Sequence, residues 1–147
     1  MGSSVGVNRA DSEETLASAI KTAFEYDTKI LIESAITGDE VECAVLGNET
    51  PEASAIGRVI PRVDFYSYDA KYVDESGAAL EIPANISEAA ISGAQKTALL
   101  AYKALGCAGM SRVDMFVQPN GEIIINEINT IPGFTSISMY PKLWEIS

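Results

Sequence analysis

Arg112, Asp114, Glu127 and Asn129 are the residues of this sequence whose types and spacing suit chemistry best. Asn120-Gly121 lies between two strand-like runs, and Asn-Gly in that setting is a strong short-range hairpin signal. If the dipeptide is a two-residue turn, Asp114 faces Glu127 and Arg112 faces Asn129. Strand alternation then puts all four on one face, at the end away from the turn. Phe116, Ile123 and Ile125 follow on that face nearer the turn; Val113, Met115, Val117, Ile124 and Ile128 take the other. A sheet this apolar on both sides is expected to be covered on both sides. Two opposed carboxylates repel unless something positive sits between them. Asp, Glu and Asn offer the oxygen ligands that Mg²⁺ takes together with water and substrate phosphate. Arg112 alongside would stabilise negative charge developing on phosphate or on a tetrahedral centre. The same pattern also fits a surface ionic cluster in which Arg112 pairs with both acids.

Three further segments have suitable residues. Gly2-Ser3-Ser4-Val5-Gly6 offers backbone N–H groups and two hydroxyls to a phosphate, yet it lacks the Lys of a P-loop and also reads as an ordinary turn. Lys71-Tyr72 supplies a phosphate donor and a phenol able to order a serine hydroxyl, although a loop with Lys and Tyr, taken alone, reads first as solvated surface. The loop from Asn129 to Ser136 has a Pro-Gly turn and a hydroxyl cluster that suit a small polar ligand, as many turns do. Cys43 and Cys107 sit in apolar runs without zinc-ligand spacing and read as buried free thiols in a reducing compartment. There is no His, which removes His metal sites and His acid–base chemistry.

The elements that must position these residues follow from periodicity. A cap-like Asp11 with Glu14 three residues on starts a helix whose stripe of Leu16, Ile20 and Phe24 runs to about residue 27. Strands are predicted at 29–33, 40–46, 55–60, 109–118 and 122–128, with Pro119-Asn120-Gly121 joining the last two. Ser87 caps a helix over 87–105 that Gly106 stops. A last helix begins near Tyr140-Pro141. Residues 61–79 form a long segment rich in Tyr and Asp, and loops of that length are usually functional. Strands mixed with packed helices and hairpin connections give an α+β class, mainly antiparallel.

With 147 residues, one domain is the default and two small lobes the upper limit. Hydrophobic residues at 47% and charged residues at 21% exclude disorder. A net charge of −11 makes the surface a poor docking face for nucleic acid or anionic lipid, so any phosphate ligand must be met by a few placed donors and a metal ion. No apolar stretch approaches a membrane span and no signal peptide is evident, so the expected location is cytoplasmic. The chain reads as cut at both ends, inside a glycine loop and early in a helix.

Taken in order, Gly2-Ser3-Ser4-Val5-Gly6, Asp69-Ala70-Lys71-Tyr72, Arg112-Val113-Asp114 and the run from Asn126 to Ser136 resemble the D-alanine–D-alanine ligases of the ATP-grasp superfamily. The resemblance covers essentially the whole chain. It implies residues 1–40 as the second half of the central ATP-grasp subdomain and 41–147 as the C-terminal catalytic subdomain, truncated at its end. It implies ATP and two Mg²⁺ (Mn²⁺ as a substitute), with D-alanine activated as an acyl phosphate and joined to a second D-alanine for peptidoglycan. Asp114, Glu127 and Asn129 would be metal ligands, and Ser3, Tyr72 and Arg112 catalytic. Ser4, Glu33, Ser34, Ala35, Ile36, Glu40, Phe65, Tyr66 and Lys71 would contact the nucleotide. Gly133, Ser138 and Met139 would line the second-substrate site, and residues 61–79 would close over the centre. The parent would be a homodimer.

The family's N-terminal domain and its upstream Lys residues are missing, and Ile137 stands where His is often found. The isolated chain is therefore expected to be inactive or very weak. Lys71-Tyr72 and the lack of His argue against a D-lactate-using relative. A D-serine-using ligase, another ATP-grasp carboxylate–amine ligase and a non-catalytic ATP-binding fragment remain as alternatives.

Overall fold

The computed structural model describes residues 4–61 and 78–147. The expected sites Ser3, Phe65, Tyr66, Lys71 and Tyr72 lie outside the described residues, as does nearly all of segment 61–79. The chain divides into two compact units: Met1–Ala35 with Pro61–Ala78, and Ile36–Ile60 with Ala79–Ser147.

In the first unit, Ser4 O accepts a hydrogen bond from Val7 N at 3.2 Å, closing a turn. Helix α1 spans Glu13–Ala23. Its cap is Ser12, not the expected Asp11: the Ser12 hydroxyl accepts from Thr15 N, and the Thr15 hydroxyl receives the Ser12 N–H. A hydroxyl three residues on thus does the work expected of Glu14. The predicted strand over 29–33 does not form, and Leu31 and Ile32 are 78% and 66% exposed.

The second unit is a five-stranded sheet in the order β3-β2-β1-β4-β5, built from β1 (Asp39–Gly47), β2 (Glu52–Pro61), β3 (Ala78–Glu81), β4 (Gly109–Val117) and β5 (Ile123–Asn129). The β1–β2, β1–β4 and β4–β5 pairs are antiparallel. β3 has no counterpart in the sequence reading. Helix α2 (Glu88–Ala104) is capped by the Ser87 hydroxyl, which accepts from Ala90 N at 3.2 Å. Its small face (Ala90, Ala94, Ala98, Ala101) and Tyr102 pack on Val41, Cys43 and Val45 of β1 and Val113, Met115 and Val117 of β4, forming the core. Helix α3 (Met139–Glu145) lies on the opposite face: Gly57 of β2 approaches Met139 and Leu143 so closely that a Cβ there would meet Met139 Sδ at 2.6 Å. The α2 face is covered, whereas α3 covers the other only in part and leaves Leu46 and Met110 46% and 37% exposed. Among the described residues no helix is long and apolar enough to cross a membrane.

The Cys43 thiol is fully buried in this core, and burial pushes its pKa up to about 12 against the weaker lowering effect of Ser54. The unfolded thiol ionises in the ordinary range while the folded one resists. The stability contributed by the neutral thiol is therefore complete below the ordinary thiol pKa and is lost as pH climbs toward about 12. Urea midpoints taken across that range should fall less steeply for Cys43→Ala than for the unsubstituted chain. Alkylation under native conditions should label the half-buried Cys107 well before Cys43.

Candidate functional site

The β4–β5 hairpin pairs Asp114 with Glu127 and Arg112 with Asn129, as expected, but by a different route. The turn is one residue longer than a two-residue Asn-Gly connection. Gln118 N donates to Glu122 O at 2.8 Å and Gly121 N donates to Gln118 O at 2.8 Å, with Gly121 at φ 85. This is a three-residue loop whose last position needs the left-handed backbone. The ladder accordingly runs Val117↔Ile123, Phe116↔Ile124, Met115↔Ile125. A bulge between Asp114 and Met115 then accommodates Asn126 as an extra residue and restores the Asp114↔Glu127 pair. The expected faces are corrected near the turn: Ile123 and Ile125 share the face of Met115 and Val117, and Ile124 lies with Phe116.

β1 adds what the sequence reading missed. Glu42 pairs with Asp114 on one side and with Gly57 on the other. One rung across the sheet therefore reads Gly57, Glu42, Asp114, Glu127, and the next with side chains on that face reads Ala44, Arg112, Asn129. Glu40 occupies the rung on the other side, opposite Phe116. Alternation in Val41-Glu42-Cys43-Ala44-Val45 marks Glu42 as the residue facing away from the core, and a charged side chain in a run this apolar was the available signal.

Arg112 Nε donates to Asp114 Oδ1 at 2.7 Å and Nη2 donates to Asp114 Oδ2 at 2.7 Å, a two-pronged pair. The same Nε lies 2.9 Å from Glu42 Oε2. Asp114 is only 5% exposed. Burial works against the guanidinium charge, but the Asp114 hydrogen bonds and the charges of Asp114, Glu42 and Glu127 outweigh it, so Arg112 holds its proton more firmly than usual. Three carboxylates in one rung against a single guanidinium leave a local surplus of negative charge. Among the described residues no three acidic or cysteine side chains converge into a cage for a metal ion. A hard cation here would need ligands from elsewhere, which is how Mg²⁺ is usually held: one or two carboxylates plus water and phosphate. The donor set fits that ion.

Asn129 Oδ1 accepts from Ile131 N at 3.2 Å, an Asx turn that launches the following loop. At the loop's far end Ser138 Oγ accepts from Thr135 N at 3.0 Å and lies 2.9 Å from Thr135 Oγ1. A Cβ on Gly133 would come within 3.0 Å of that hydroxyl. Gly133 and Ser138 are thus brought together, while the Met139 side chain is buried against Gly57 and leaves only its backbone available to a ligand. Beyond Arg112 the same sheet face turns apolar. Leu46 pairs with Met110 there, and with Phe134, Tyr140 and Trp144 they line a groove of about 420 Å³.

Of the expected nucleotide contacts, Glu40 is half-buried on β1 and Ile36 opens the second unit. Glu33, Ser34 and Ala35 are exposed at the end of the first unit's chain segment. Ser4 has φ 60, a left-handed conformation that costs a residue other than glycine roughly 1–3 kcal/mol.

The family model described as D-ala D-ala ligase C-terminus matches residues 1–147. The chain belongs to the D-ala D-ala ligase C-terminus family. It is 60% identical over 146 residues to the D-alanine–D-alanine ligase of Oceanobacillus iheyensis, an alignment that takes in 99% of this chain and 40% of that protein. Among solved structures it superposes on the VanG D-Ala:D-Ser ligase of Enterococcus faecalis with a TM-score of 0.88 at 43% identity, covering 99% of this chain and 42% of that one. It also matches the Bacillus anthracis D-alanine–D-alanine ligase complexed with ATP, with a TM-score of 0.78 at 32% identity over 97% of this chain and 45% of that one. The chain therefore spans well under half the length of these ligases. The ATP-grasp assignment of the sheet and helices stands on these likenesses.

Proposed function

We propose that this chain is the part of an ATP-dependent D-alanine–D-alanine ligase that holds the nucleotide phosphates and the reacting carboxyl group. The rung of Glu42, Asp114 and Glu127 beside Arg112 carries this reading. Residues 1–40 belong to the second half of the central subdomain and 41–147 to the catalytic subdomain. Asp114, Glu127 and Asn129 would hold two Mg²⁺ ions, with Mn²⁺ a workable substitute. When bound, these ions neutralise phosphate charge during transfer to the D-alanine carboxylate. Arg112 would donate hydrogen bonds to the acyl phosphate, and then to the oxyanion formed when the amine of a second D-alanine attacks. Ser3 and Tyr72 would order that amine, and Ser4 and Lys71 would contact phosphate. Glu33, Ser34, Ala35 and Ile36 would meet adenine, with Phe65 and Tyr66 nearby, and Glu40 would bind ribose hydroxyls. Gly133, Ser138 and the backbone at Met139 would receive the second substrate. The parent would act as a homodimer in the cytoplasm. D-Alanine as the second substrate is supported by the 60% identity to a D-alanine–D-alanine ligase.

Calorimetric titration of ATP with and without Mg²⁺ tests the reading. Binding should require Mg²⁺, and Asp114→Asn and Glu127→Gln should each weaken it by more than about tenfold while far-ultraviolet circular dichroism stays unchanged. Mg²⁺-dependent binding that survives both substitutions would place the nucleotide elsewhere and overturn the assignment.

A further inference from the structure

Glu42 is one carboxylate more than the proposed metal site uses. It is buried in β1 and is held by the ladder between Gly57 and Asp114. Arg112 reaches it at 2.9 Å while both prongs of the same guanidinium are spent on the two oxygens of Asp114. That arrangement sets a conflict. If Asp114 ligates a divalent cation, guanidinium and cation meet at one carboxylate, and two positive centres a few ångströms apart repel strongly in a poorly solvated site. Releasing Arg112 to nothing is no remedy, because a largely buried cation without a partner costs several kcal/mol. Glu42 removes the conflict, being already within reach of the same nitrogen.

We propose that Glu42 is a positioning residue to which Arg112 transfers its pairing when Asp114 takes up the cation, so that metal loading and retention of Arg112 at the reacting centre are compatible. This rests on the reading of Asp114 as a cation ligand. The transfer needs no new element. Glu42 and Asp114 share one rung of β1 and β4 and Arg112 follows on the same sheet face, so a small rotation of the guanidinium turns the fork from one carboxylate toward the other. Glu42 acts through Arg112 and is not itself a ligand.

The test uses the 147-residue chain with Mg²⁺ and ATP. Its arginines are Arg9, Arg58, Arg62 and Arg112, few enough for their Nε–H signals to be separated by ¹⁵N NMR, with Arg112 assigned through Arg112→Lys. In the unsubstituted chain the Arg112 Nε–H signal should shift yet stay protected when Mg²⁺ and ATP are added. In Glu42→Gln it should be present without Mg²⁺, where Asp114 still holds it, and be lost to solvent exchange on loading. Glu42→Gln should also lower Mg²⁺ affinity by about tenfold, an effect that shrinks below about twofold in an Arg112→Met background, as expected for residues that act as a coupled pair.

An Arg112 signal indifferent to Glu42→Gln, or an equal loss of Mg²⁺ affinity in both backgrounds, overturns the proposal, the latter by making Glu42 a direct electrostatic partner of the cation. The NMR arm stands even where Arg112→Met fails to fold. Failure of the underlying reading looks different: Mg²⁺-dependent ATP binding would then be absent, or would survive Asp114→Asn, and the proposal would fall with it.

Discussion

Arg112→Ala is expected to destabilise the chain by roughly 3–5 kcal/mol, the usual cost of removing one partner from a buried charge pair. The cost comes from what is left behind. Asp114 and Glu42, 5% and 9% exposed, would face each other across the β1–β4 ladder with no neutralising charge. Arg112→Lys should recover part of the loss, since an ammonium restores the charge but not the fork that engages both oxygens of Asp114. Arg112→Met keeps most of the stem's packing and none of the charge, so it should resemble Ala more than Lys. Urea denaturation with an unchanged slope and a lowered midpoint would register the effect. An Arg112→Ala midpoint equal to that of the unsubstituted chain would mean that the cluster is solvated and contributes nothing to folding.

Gly57→Val should be the next most damaging change. A Cβ at Gly57 would stand 2.6 Å from Met139 Sδ, 3.0 Å from Met139 Cε and 3.0 Å from Leu143 Cδ2. Met139 is flexible and can yield, but Leu143 is fully buried and cannot. Gly57→Ala should therefore cost about 1 kcal/mol and Gly57→Val about 3 kcal/mol, the span usual for overpacking. Either change lifts α3 off β2 and with it Ser138, the residue just before the helix. The check is a double-mutant cycle in thermal denaturation: Met139→Ala, destabilising alone, should be less so beside Gly57→Ala because the new methyl fills part of the space it vacates. Strict additivity would show that the two positions do not share that space.

The site was legible from sequence where chemistry and pattern coincided. Arg112, Asp114, Glu127 and Asn129 could be gathered because strand alternation and an Asn-Gly turn are strong signals. Yet the pairing came from two offsets that cancel: a turn one residue longer than assumed and a bulge at Asn126 that restores the register. A bulge has no reliable mark in a single sequence, since its extra residue is chosen by the local backbone and not by composition. That is why Ile123, Ile124 and Ile125 were read onto the wrong faces. Glu42 was missed for another reason. Its meaning depends on β1 lying beside β4, a long-range pairing that periodicity within β1 does not report. Ile30-Leu31-Ile32 failed in the opposite way: an apolar run signals that a segment needs covering, not that it is a strand, and here it has no ladder. Helix α2, with its cap at Ser87 and a stripe of alanines, was readable nearly to the residue because every signal for it is local.

The loop from Thr130 to Ser138 is moored at both ends to the same slab of protein, through the Asx turn at Asn129 on β5 and through α3 on Gly57 of β2. It behaves as a bridge with both abutments on one bank. Its two ends are therefore spaced by strands of one sheet, the sheet that also carries Asp114. Such a segment is a natural cassette: exchanged between family members of different second-substrate preference, it would seat in register without any adjustment of the strands beneath it.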